Sequence, residues 1–396
     1  MKYKDFKGLQ ISKLGFGAMR LPVTETNGPI DEEKALELVR YAYENGVNYF
    51  DTAYFYHQGK SEDFVRKALS KYPRDTWYVA DKFPGNFMKV ENGKLKIDAS
   101  FANIEGHLFN NCAEVFELQL KKCGVEYFDF YLLHNVAEES YDLYTDEKLG
   151  IIDYLLEQKK LGRIKHLGFS THAKYETFEK FLNKYDCFEF VQVQLNYLDW
   201  TLQDAQAKYK LLESKGIPIV IMEPIRGGKL ASPGKTAAEI LKKARPEYSP
   251  AQWSFRHILS LENVLVTLSG MSTMEQLKEN IEIFDKEVPF TQSDLETLEK
   301  VAKSMSAFIP CTSCRYCCDT CPKALDIPTL IGAYNEAIYE FSWIVQDVLN
   351  GISEDKKPAT CISCGACSPL CPQNIDIPDV LHKLAKIIEK NKQATN

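Results

Sequence analysis

The sequence predicts an α/β fold, a (β/α)₈ barrel, for about its first three hundred residues. Short β-rich stretches alternate there with amphipathic helical stretches, and eight alternations occupy about the 250 residues typical of this barrel. The β-rich stretches are almost continuously apolar, which is typical of parallel strands covered by helices. The predicted strands are 14–20, 47–53, 77–83, 128–134, 164–170, 191–196, 218–223 and 264–270.

A doubly wound sheet is the competing α/β architecture for this alternation. It usually places a G-x-G-x-x-G turn directly after its first strand. The early stretch "GFGAMR" lacks that spacing, so the barrel is favoured. The first long helix is predicted over 32–45, with Asp31 as its N-cap and Gly46 as its stop.

Composition and charge exclude several classes of partner. The 396 residues are 45% hydrophobic and 26% charged, with a formal net charge of −7. A mildly acidic surface argues against nucleic acid or an anionic membrane as the main partner. No apolar run approaches the roughly 18 residues of a membrane-spanning helix, and the first residues lack the apolar segment of a secretory signal. We therefore expect a soluble protein in the cytoplasm.

Most of the 12 cysteines are concentrated in one part of the chain, since nine of them lie between residues 311 and 371. Without a secretory signal, this clustering favours metal ligation in a reducing cytosol over disulfide bonds. The cysteines belong to an internal repeat, in which "CTSCRYCCDTCPKALDIPTL" matches "CISCGACSPLCPQNIDIPDV". Each copy contains C-x-x-C-x-x-C-x-x-x-C-P followed by "DIP".

The repeat has the cysteine spacing of bacterial two-cluster ferredoxins, in which the fourth cysteine of each run ligates the cluster of the other run. On that pattern the first [4Fe-4S] cluster is held by Cys311, Cys314, Cys317 and Cys371. The second is held by Cys361, Cys364, Cys367 and Cys321. The sequence therefore predicts a ferredoxin-like domain with two [4Fe-4S] clusters.

Two alternatives stay open in this cysteine-rich part. A pair of four-cysteine zinc sites would use the same residue types, although zinc sites prefer paired C-x-x-C knuckles. Two copies of the ferredoxin run favour iron over zinc. Cys318 fits neither run, so it is a small packed side chain, an alternative ligand or a redox thiol.

A predicted domain boundary separates the barrel from the cysteine-rich part. A polar helix predicted over 291–307 leads into the first cysteine run, and we place the boundary near residue 305. The barrel then spans 1–304 and the ferredoxin-like domain 305–396. The connection between the two cysteine runs is longer than in a minimal ferredoxin, and we predict an inserted helix over 330–351.

Polar side chains stand at the ends of three predicted strands. Asp51 and Tyr56 lie at the C-terminal end of the second strand, in "DTAYFYHQGKSE". Lys82 lies at the end of the third strand in "VADKFP", and His134 at the end of the fourth in "LLHNV". The active site of a (β/α)₈ barrel assembles at the C-terminal ends of its strands. We therefore expect these four side chains to meet in one site.

This constellation resembles the aldo-keto reductase superfamily, and the resemblance extends from about residue 8 to residue 300. The stretches that carry it are "LGFGAMRLP", "GVNYFDTAYFY", "LLHN", "GRIKHLGFSTH", "VQVQLNY" and "LSGMSTMEQLKEN". The resemblance implies a TIM barrel with a catalytic tetrad of Asp51, Tyr56, Lys82 and His134. With its cysteine-rich domain, the chain is similar to the subgroup that carries a C-terminal ferredoxin-like domain with two clusters.

The residue types of this tetrad suit the reduction of a carbonyl group by hydride. Hydride arriving at the carbonyl carbon leaves an alkoxide that needs a proton, which Tyr56 would donate. A phenol has an ordinary pKa of about 10, and Lys82 would lower the pKa of Tyr56 so that proton transfer is easier near neutrality. Asp51 would keep Lys82 charged and oriented, and His134 would orient the carbonyl by a hydrogen bond.

The resemblance also implies a nicotinamide dinucleotide, bound without a doubly wound domain. Ser170 and Gln194 match positions that hold its carboxamide, and Met222 replaces the aromatic residue usual under the nicotinamide ring. Arg226 either contacts the pyrophosphate or is an ordinary surface arginine.

The phosphate and adenine end of the dinucleotide is matched by Ser272, Glu279 and Asn280. Gln276 replaces the arginine that the resemblance leads one to expect there, which removes a natural clamp for a 2′-phosphate. NADH is therefore favoured over NADPH, and a different redox partner stays open.

Three functions are compatible with the sequence. The favoured one is an NAD(P)-dependent oxidoreductase that acts on aldehydes, ketones or sugars, with the clusters ancillary. The second is an electron-transfer enzyme that links a ferredoxin or flavodoxin to a flavin or another cofactor in the barrel, because a cluster carries one electron while NAD(P)H delivers two. The third is a non-catalytic redox sensor.

Overall fold

The structure, a computed structural model, contains a closed barrel of eight parallel strands, so the predicted fold class is confirmed. Each of the eight predicted stretches supplies one barrel strand, and the strands follow one another around the barrel in chain order. The structure describes the whole chain except residues 26–27, 98–106, 203, 287, 306–308, 310, 312–314, 316, 319, 339–340, 372–374 and 396.

The strands form the barrel and two small antiparallel sheets, β1–β2 and β6–β7–β8. The strands are β1 Tyr3–Phe6, β2 Leu9–Ser12, β3 Leu14–Gly17, β4 Tyr49–Asp51, β5 Tyr78–Phe83, β6 Met88–Glu91, β7 Lys94–Ile97, β8 Leu108–Phe109, β9 Phe128–Leu133, β10 Ile164–Thr171, β11 Phe190–Gln194, β12 Ile219–Met222 and β13 Val264–Ser269. The barrel consists of β3, β4, β5 and β9 to β13, and it closes through pairing of β13 with β3.

Helices connect the barrel strands and make up most of the C-terminal part. The helices are α1 Glu32–Glu44, α2 Ser61–Leu69, α3 Cys112–Cys123, α4 Tyr141–Thr145, α5 Ile151–Lys160, α6 Tyr175–Lys184, α7 Asp199–Leu202, α8 Ala205–Ser214, α9 Lys235–Ala244, α10 Pro250–Leu259, α11 Met274–Asp285, α12 Gln292–Met305, α13 Ile327–Ala337, α14 Trp343–Asn350 and α15 Ile377–Thr395. Among the described residues, no helix combines the length and apolar character needed to cross a membrane.

Parallel pairing brings the C-terminal ends of the barrel strands to one rim. Asp51 of β4 is paired with Ala80 of β5, and Lys82 lies two residues beyond Ala80. Across the barrel, Gln194 of β11 is paired with Met222 of β12. The polar side chains that the sequence singles out therefore end their strands at the same edge of the sheet.

An apolar core fills the opposite end of the barrel. Tyr49, Phe130 and Phe190 lie near the N-terminal ends of their strands and are completely buried. They form one cluster with Phe6 and Ile11 of the hairpin β1–β2, and the ring centroids of Phe6 and Phe130 are 5.9 Å apart. The hairpin thus covers this end of the barrel, so the opposite, polar rim is where a ligand can enter.

The signals predicted for the first long helix are confirmed. The Asp31 side chain accepts a hydrogen bond from the backbone N–H of Lys34 at 3.3 Å, and α1 begins at Glu32. Beyond its last residue, Glu44, the chain passes through Gly46 at a φ of +87°. Glycine adopts this left-handed conformation without the steric cost that a Cβ atom imposes.

The chain divides into two compact units, residues 1–231 with 245–298 and residues 232–244 with 299–396. In the second unit α13 packs against α14 and α15. The single helix predicted over 330–351 is wrong, since this range contains the end of α13 and then α14. Ser342 has extended backbone with a ψ of 173° and is the N-cap of α14, a position that serine favours. The domain boundary near residue 305 stays a prediction.

Candidate active site and cluster site

A buried ion pair lies at the barrel rim, between the ends of β4 and β5. The Lys82 Nζ donates to Asp51 Oδ2 at 2.7 Å and to the backbone carbonyl of Thr52 at 2.7 Å. The side chains of Lys82 and Asp51 are only 1% and 3% exposed. Burial lowers the pKa of Lys82, but the negative charge of Asp51 and its hydrogen bond to Lys82 act in the opposite direction and the net pKa is raised. Lys82 therefore stays protonated.

Tyr56 lies in the turn between β4 and α2, beside this ion pair. The backbone N–H groups of Gly59 and Ser61 both donate to its carbonyl at 3.2 Å, which brings the chain back to the rim. The half-buried ring faces Lys82, whose Nζ is 5.0 Å from the ring centroid. Burial raises the pKa of Tyr56 to about 12, although Lys82 acts in the opposite direction. The lowering expected from Lys82 is thus outweighed by burial.

His134 directly follows β9 and faces Tyr56. The two ring centroids are 6.2 Å apart, with the planes at 86°. Burial lowers the pKa of His134 well below its ordinary value, and the charges of Lys82 and His172 act in the same direction. The imidazole is therefore neutral near pH 7 and carries one N–H. Its Nδ1 is buried and has no hydrogen-bond partner in the described part of the chain.

Tyr144 supports this site but carries no signal in the sequence motifs. Its buried hydroxyl donates to the backbone carbonyl of His134 at 2.7 Å and to that of Phe83 at 3.1 Å. The ring of Tyr144 lies against Gly85, where an added Cβ would come within 2.5 Å of the ring. Tyr144 thereby ties the ends of β5 and β9 together, and only glycine fits at position 85.

Ser170 and Gln194 end the neighbouring strands β10 and β11, and both are buried. The Ser170 Oγ accepts a hydrogen bond from the backbone N–H of Asn135 at 2.8 Å, which leaves its own proton available. The Gln194 Nε2 donates to Asp199 Oδ2 at 2.8 Å, while its Oε1 is buried without a hydrogen-bond partner among the described residues. The rim thus offers one donor and one acceptor, the pair that a primary carboxamide requires.

Arg226 is buried, so the interpretation as an ordinary surface arginine is wrong. Its Nε donates to Asp199 Oδ1 at 3.0 Å. Asp199 is fully buried at the start of α7 and is a residue that the sequence analysis missed. The available signal is a carboxylate within the largely apolar stretch "VQVQLNYLDW", since a buried charge needs a partner.

Four candidate residues for the phosphate and adenine end lie just before α11 or on its first two turns. Gln276 and Thr273 form a capping box, and Gln276 Oε1 also accepts from the backbone N–H of Ser272 at 2.8 Å. Asn280 is buried and its Nδ2 donates to Ser269 Oγ at 3.0 Å. Glu279 is half-buried on the same helix. The side chain of Gln276 is therefore folded back onto its own helix.

A second buried acidic group lies behind β5 and has no sequence motif. Gln119 Nε2 contacts Asp81 Oδ2 at 3.1 Å and Glu62 Oε1 at 3.0 Å. Lys122 forms an ion pair with Glu62. Burial and then the charge of Glu62 raise the pKa of Asp81 well above its ordinary value. Because successive side chains point to opposite faces of a strand, this group supports Lys82 from behind instead of lining the rim.

Cysteines from both runs line one cavity in the second unit. The cavity measures about 330 Å³, counted out to its solvent opening. The thiols that line it belong to Cys321, Cys361, Cys364 and Cys367. These are the four ligands predicted for the second cluster, including the one contributed by the first run. Four thiols around one cavity are a suitable donor set for an iron–sulfur cluster.

The surroundings of the first predicted cluster are described in part. Cys317 is buried in the apolar cluster of this unit, and Cys311 and Cys318 pack against that cluster. Burial raises the pKa of Cys317 to about 12, and Cys318 and Cys311 add to the rise. Cys371 is half-buried in the same apolar cluster of this unit. Cys314 lies outside the described residues.

Among the described residues, no three His, Cys, Asp or Glu side chains converge on a point where one metal ion would bind. A single zinc ion draws four thiolates to one centre. A cube of four irons separates its thiolates further, because each sulfur binds a different iron.

Two family models match the chain. The model of the aldo/keto reductase family matches residues 13–303, and that of the 4Fe-4S dicluster domain matches residues 310–376. The first match covers the barrel with its four tetrad side chains, and the second covers all eight predicted cluster cysteines.

Relatives with known names resemble the barrel over most of their length. The probable aldo-keto reductase 1 of Glycine max is 26% identical over 302 residues, which are 69% of this chain and 81% of the relative. The NADH-specific methylglyoxal reductase of Escherichia coli is 22% identical over 331 residues, or 75% of this chain and 96% of the relative. A solved aldo-keto reductase of Bacillus halodurans, in its holo form, has a TM-score of 0.59 at 24% identity and covers 77% of this chain and 97% of its own. The structural match establishes the fold.

Proposed function

Since the chain belongs to the aldo/keto reductase family and carries a 4Fe-4S dicluster domain, we propose that it reduces an aldehyde, ketone or sugar carbonyl with NAD(P)H. In this proposal Tyr56 donates the proton, Lys82 and Asp51 set its electrostatic environment, and His134 orients the carbonyl. Neither matched family implies a flavin. Membership of an oxidoreductase family also favours an enzyme over a non-catalytic sensor.

The observation that carries the proposal is the buried Lys82 beside Tyr56. Its Nζ is 2.7 Å from Asp51 Oδ2 and 5.0 Å from the centroid of the Tyr56 ring. A buried cation placed there stabilises the negative charge that forms on a substrate oxygen and on the phenolate after proton transfer. A purely structural ion pair would not need an ionisable phenol at its open side.

Proton transfer from Tyr56 follows from the charges around it. The pKa of about 12 keeps the phenol protonated at neutral pH, so it is ready to protonate an alkoxide. The neutral imidazole of His134 can donate one hydrogen bond to the carbonyl oxygen. Donors from both residues would then hold that oxygen while hydride arrives at the carbon.

Ser170 and Gln194 are the residues proposed to hold the nicotinamide carboxamide. The Ser170 hydroxyl can donate to the carboxamide oxygen, and the unpaired Oε1 of Gln194 can accept from its NH₂ group. Met222 is paired with Gln194 in the sheet and would lie beneath the ring. When bound there, the reduced nicotinamide supplies the hydride.

We propose that NADH is preferred over NADPH. Gln276 stands where an arginine would clamp a 2′-phosphate, and its amide oxygen already accepts from Ser272 at 2.8 Å and from Thr273 at 3.3 Å. Unlike an arginine guanidinium, this amide cannot bind a phosphate through two parallel N–H groups, and its oxygen is already hydrogen-bonded. Ser272, Glu279 and Asn280 remain the proposed contacts at the adenine end, and Arg226 remains a proposed pyrophosphate contact.

The ferredoxin-like domain is proposed to hold two [4Fe-4S] clusters through the eight cysteines of the two runs. When bound, the clusters supply one-electron transfer. A second candidate function, electron exchange with a ferredoxin or flavodoxin, is favoured by the exposure of Cys364 in the cavity proposed for the second cluster. An exposed ligand brings a cluster close to the surface where a protein electron carrier could dock.

The substitution Tyr56→Phe tests the proposed function. Removing the proton donor should lower carbonyl-dependent NADH oxidation by at least about a hundredfold, the usual contribution of a general acid. The rate is measured anaerobically with a panel of aldehydes, ketones and sugars, and NADH binding is titrated in parallel by fluorescence. The binding constant should change little, because the phenol does not hold the dinucleotide.

Tyr54→Phe is the matched control, since Tyr54 is two residues away in the same turn and is buried. Among the described residues its hydroxyl hydrogen-bonds only with His107, at 3.5 Å, so its loss should leave the rate nearly unchanged. Equal rates in wild type and Tyr56→Phe would refute the proposed role of Tyr56.

A further inference from the structure

We propose that Asp199, held by Arg226, is a positioning residue that fixes the direction of the Gln194 side-chain amide. This inference rests on the proposed function, because it concerns how the rim recognises the carboxamide of a nicotinamide dinucleotide. It assigns to Asp199 a selective role: the rim accepts a ring with an NH₂-bearing carboxamide and discriminates against one that lacks those donors.

The direction of the Gln194 amide follows from the chemistry of its partner. Its Nε2 lies 2.8 Å from Asp199 Oδ2. An ionised carboxylate only accepts hydrogen bonds, so the NH₂ end of the amide must face it. The Gln194 Oε1 must then point away from Asp199, because the partner alone decides which end of the amide is nitrogen and which is oxygen.

This oxygen is buried and has no hydrogen-bond partner within the described residues. Leaving a buried acceptor without a partner is destabilising, and such groups in native proteins call for an explanation. The His172 side chain interacts with the side chain of Gln194. Burial lowers the pKa of His172 to about 4, and the interaction with Gln194 acts in the opposite direction. A ligand with an N–H donor would satisfy the Gln194 oxygen.

Asp199 is in turn held on both of its oxygens. Arg226 Nε donates to Oδ1 at 3.0 Å, and Asn196 Nδ2 donates to the same Oδ2 that receives Gln194. The Asn196 Oδ1 accepts from the backbone N–H of Asp199 at 2.9 Å. The side chains of Asp199, Asn196 and Arg226 are all buried. The carboxylate therefore has little freedom to turn, and neither has the amide that it holds.

Replacing Asp199 by asparagine should reverse this amide. Arg226 Nε needs an acceptor and would keep the Asn oxygen at the place of Oδ1, so the new NH₂ group would occupy the place of Oδ2. Gln194 would then turn its oxygen toward position 199 and its NH₂ toward the ligand. The NH₂ group of Gln194 would then face the NH₂ group of the nicotinamide carboxamide, and the carboxamide would lose its hydrogen-bond acceptor.

The experiment compares NADH with its reduced 3-acetylpyridine analogue, in which an acetyl group without N–H donors replaces the carboxamide. Dissociation constants are measured by fluorescence on the full-length protein. Wild type should bind NADH about tenfold more tightly than the analogue, as expected for one buried hydrogen bond. Asp199→Asn should lose most of this ratio, with weaker binding of NADH and less than about a twofold change for the analogue.

Asp204→Asn is the matched control, because it makes the same substitution at an exposed position nearby and should keep the wild-type ratio. Thermal melting checks that Asp199→Asn is folded, and Asp199→Ala, which frees the amide to turn, carries the same expectation. A merely structural role would weaken both dinucleotides equally and would overturn the inference.

Wild type alone also tests the inference. Equal affinity of the wild-type protein for NADH and the analogue would overturn the positioning role and leave the proposed reaction intact. Binding of neither dinucleotide would overturn the proposed function together with this inference.

Discussion

Tyr56 stays protonated at neutral pH because burial raises its pKa to about 12 against the effect of Lys82. A protonated phenol serves the reduction of a carbonyl, which consumes a proton, whereas oxidation of an alcohol needs the phenolate as a base. The environment of this one residue therefore favours reduction. It also separates the two directions of the reaction by their response to pH.

The pH dependence of the two directions is the first prediction of this account. Between pH 7 and pH 10 kcat/KM for carbonyl reduction should stay nearly constant, because the phenol remains protonated below its pKa of about 12. Over the same range kcat/KM for alcohol oxidation should rise by about tenfold per pH unit, as the small phenolate fraction grows. Initial rates in both directions provide the measurement. A decline of the reduction rate centred near pH 8 would contradict the assigned proton donor.

Some residues of the site could be predicted from the sequence and others could not. Asp51, Lys82 and His134 are recognisable because each is a polar residue at the end of an apolar strand, and a barrel brings strand ends together. Tyr144 and Asp199 act through contacts between segments distant in sequence, such as the bond from the Tyr144 hydroxyl to the His134 carbonyl. No local sequence pattern predicts a contact of this kind.

At the level of elements, the described parts of the two cysteine runs share a backbone conformation and a following helix. Arg315 in the first run and Gly365 in the second occupy matching positions, and both have positive φ angles, of 65° and 75°. After each run a helix begins at the isoleucine of its "DIP" stretch, at Ile327 and Ile377. The hydroxyl of Thr320 in the first run lies 3.4 Å from the carbonyl of Ala366 in the second. The described parts of the two runs thus share these backbone features, and the two runs are in contact.

The cysteine set can be proposed from sequence spacing because ligation depends largely on residues only a few positions apart, and it stays a prediction. The break between α13 and α14 was missed, because an apolar stretch such as 330–351 has helical character on both sides of Ser342. The role of Cys318 also could not be decided from spacing. Its half-buried thiol lies beside Cys317 and is not among the side chains that line the cavity of the second cluster.

The exchange of the fourth ligand between runs gives the second prediction. Wild type purified anaerobically should contain about eight irons, and Cys321→Ser should lose the same cluster as Cys364→Ser, because both thiols line one cavity. The low-temperature EPR spectra of these two reduced variants should match each other and differ from that of Cys311→Ser. Cys318→Ser is the control and should keep both clusters. A Cys321→Ser spectrum that matches Cys311→Ser would contradict the assignment.

The whole molecule combines an aldo/keto reductase domain and a 4Fe-4S dicluster domain in one chain. In the proposed function the barrel transfers two electrons together as hydride, and the dicluster domain moves electrons singly. The two mechanisms differ in the source of the hydrogen that becomes attached to the carbonyl carbon of the product. Hydride transfer brings hydrogen from the dinucleotide to the carbonyl carbon, whereas stepwise electron and proton transfer brings hydrogen from water.

The central claim is that hydride passes directly from the dinucleotide to a carbonyl carbon beside Tyr56. The most direct test is anaerobic turnover with NADH deuterated at C4, in each of the two stereochemical forms, followed by mass spectrometry and NMR of the alcohol. We predict one deuterium on the carbinol carbon from one of the two forms and none from the other. Solvent hydrogen at that carbon with both forms would contradict hydride transfer and favour electron delivery through the clusters.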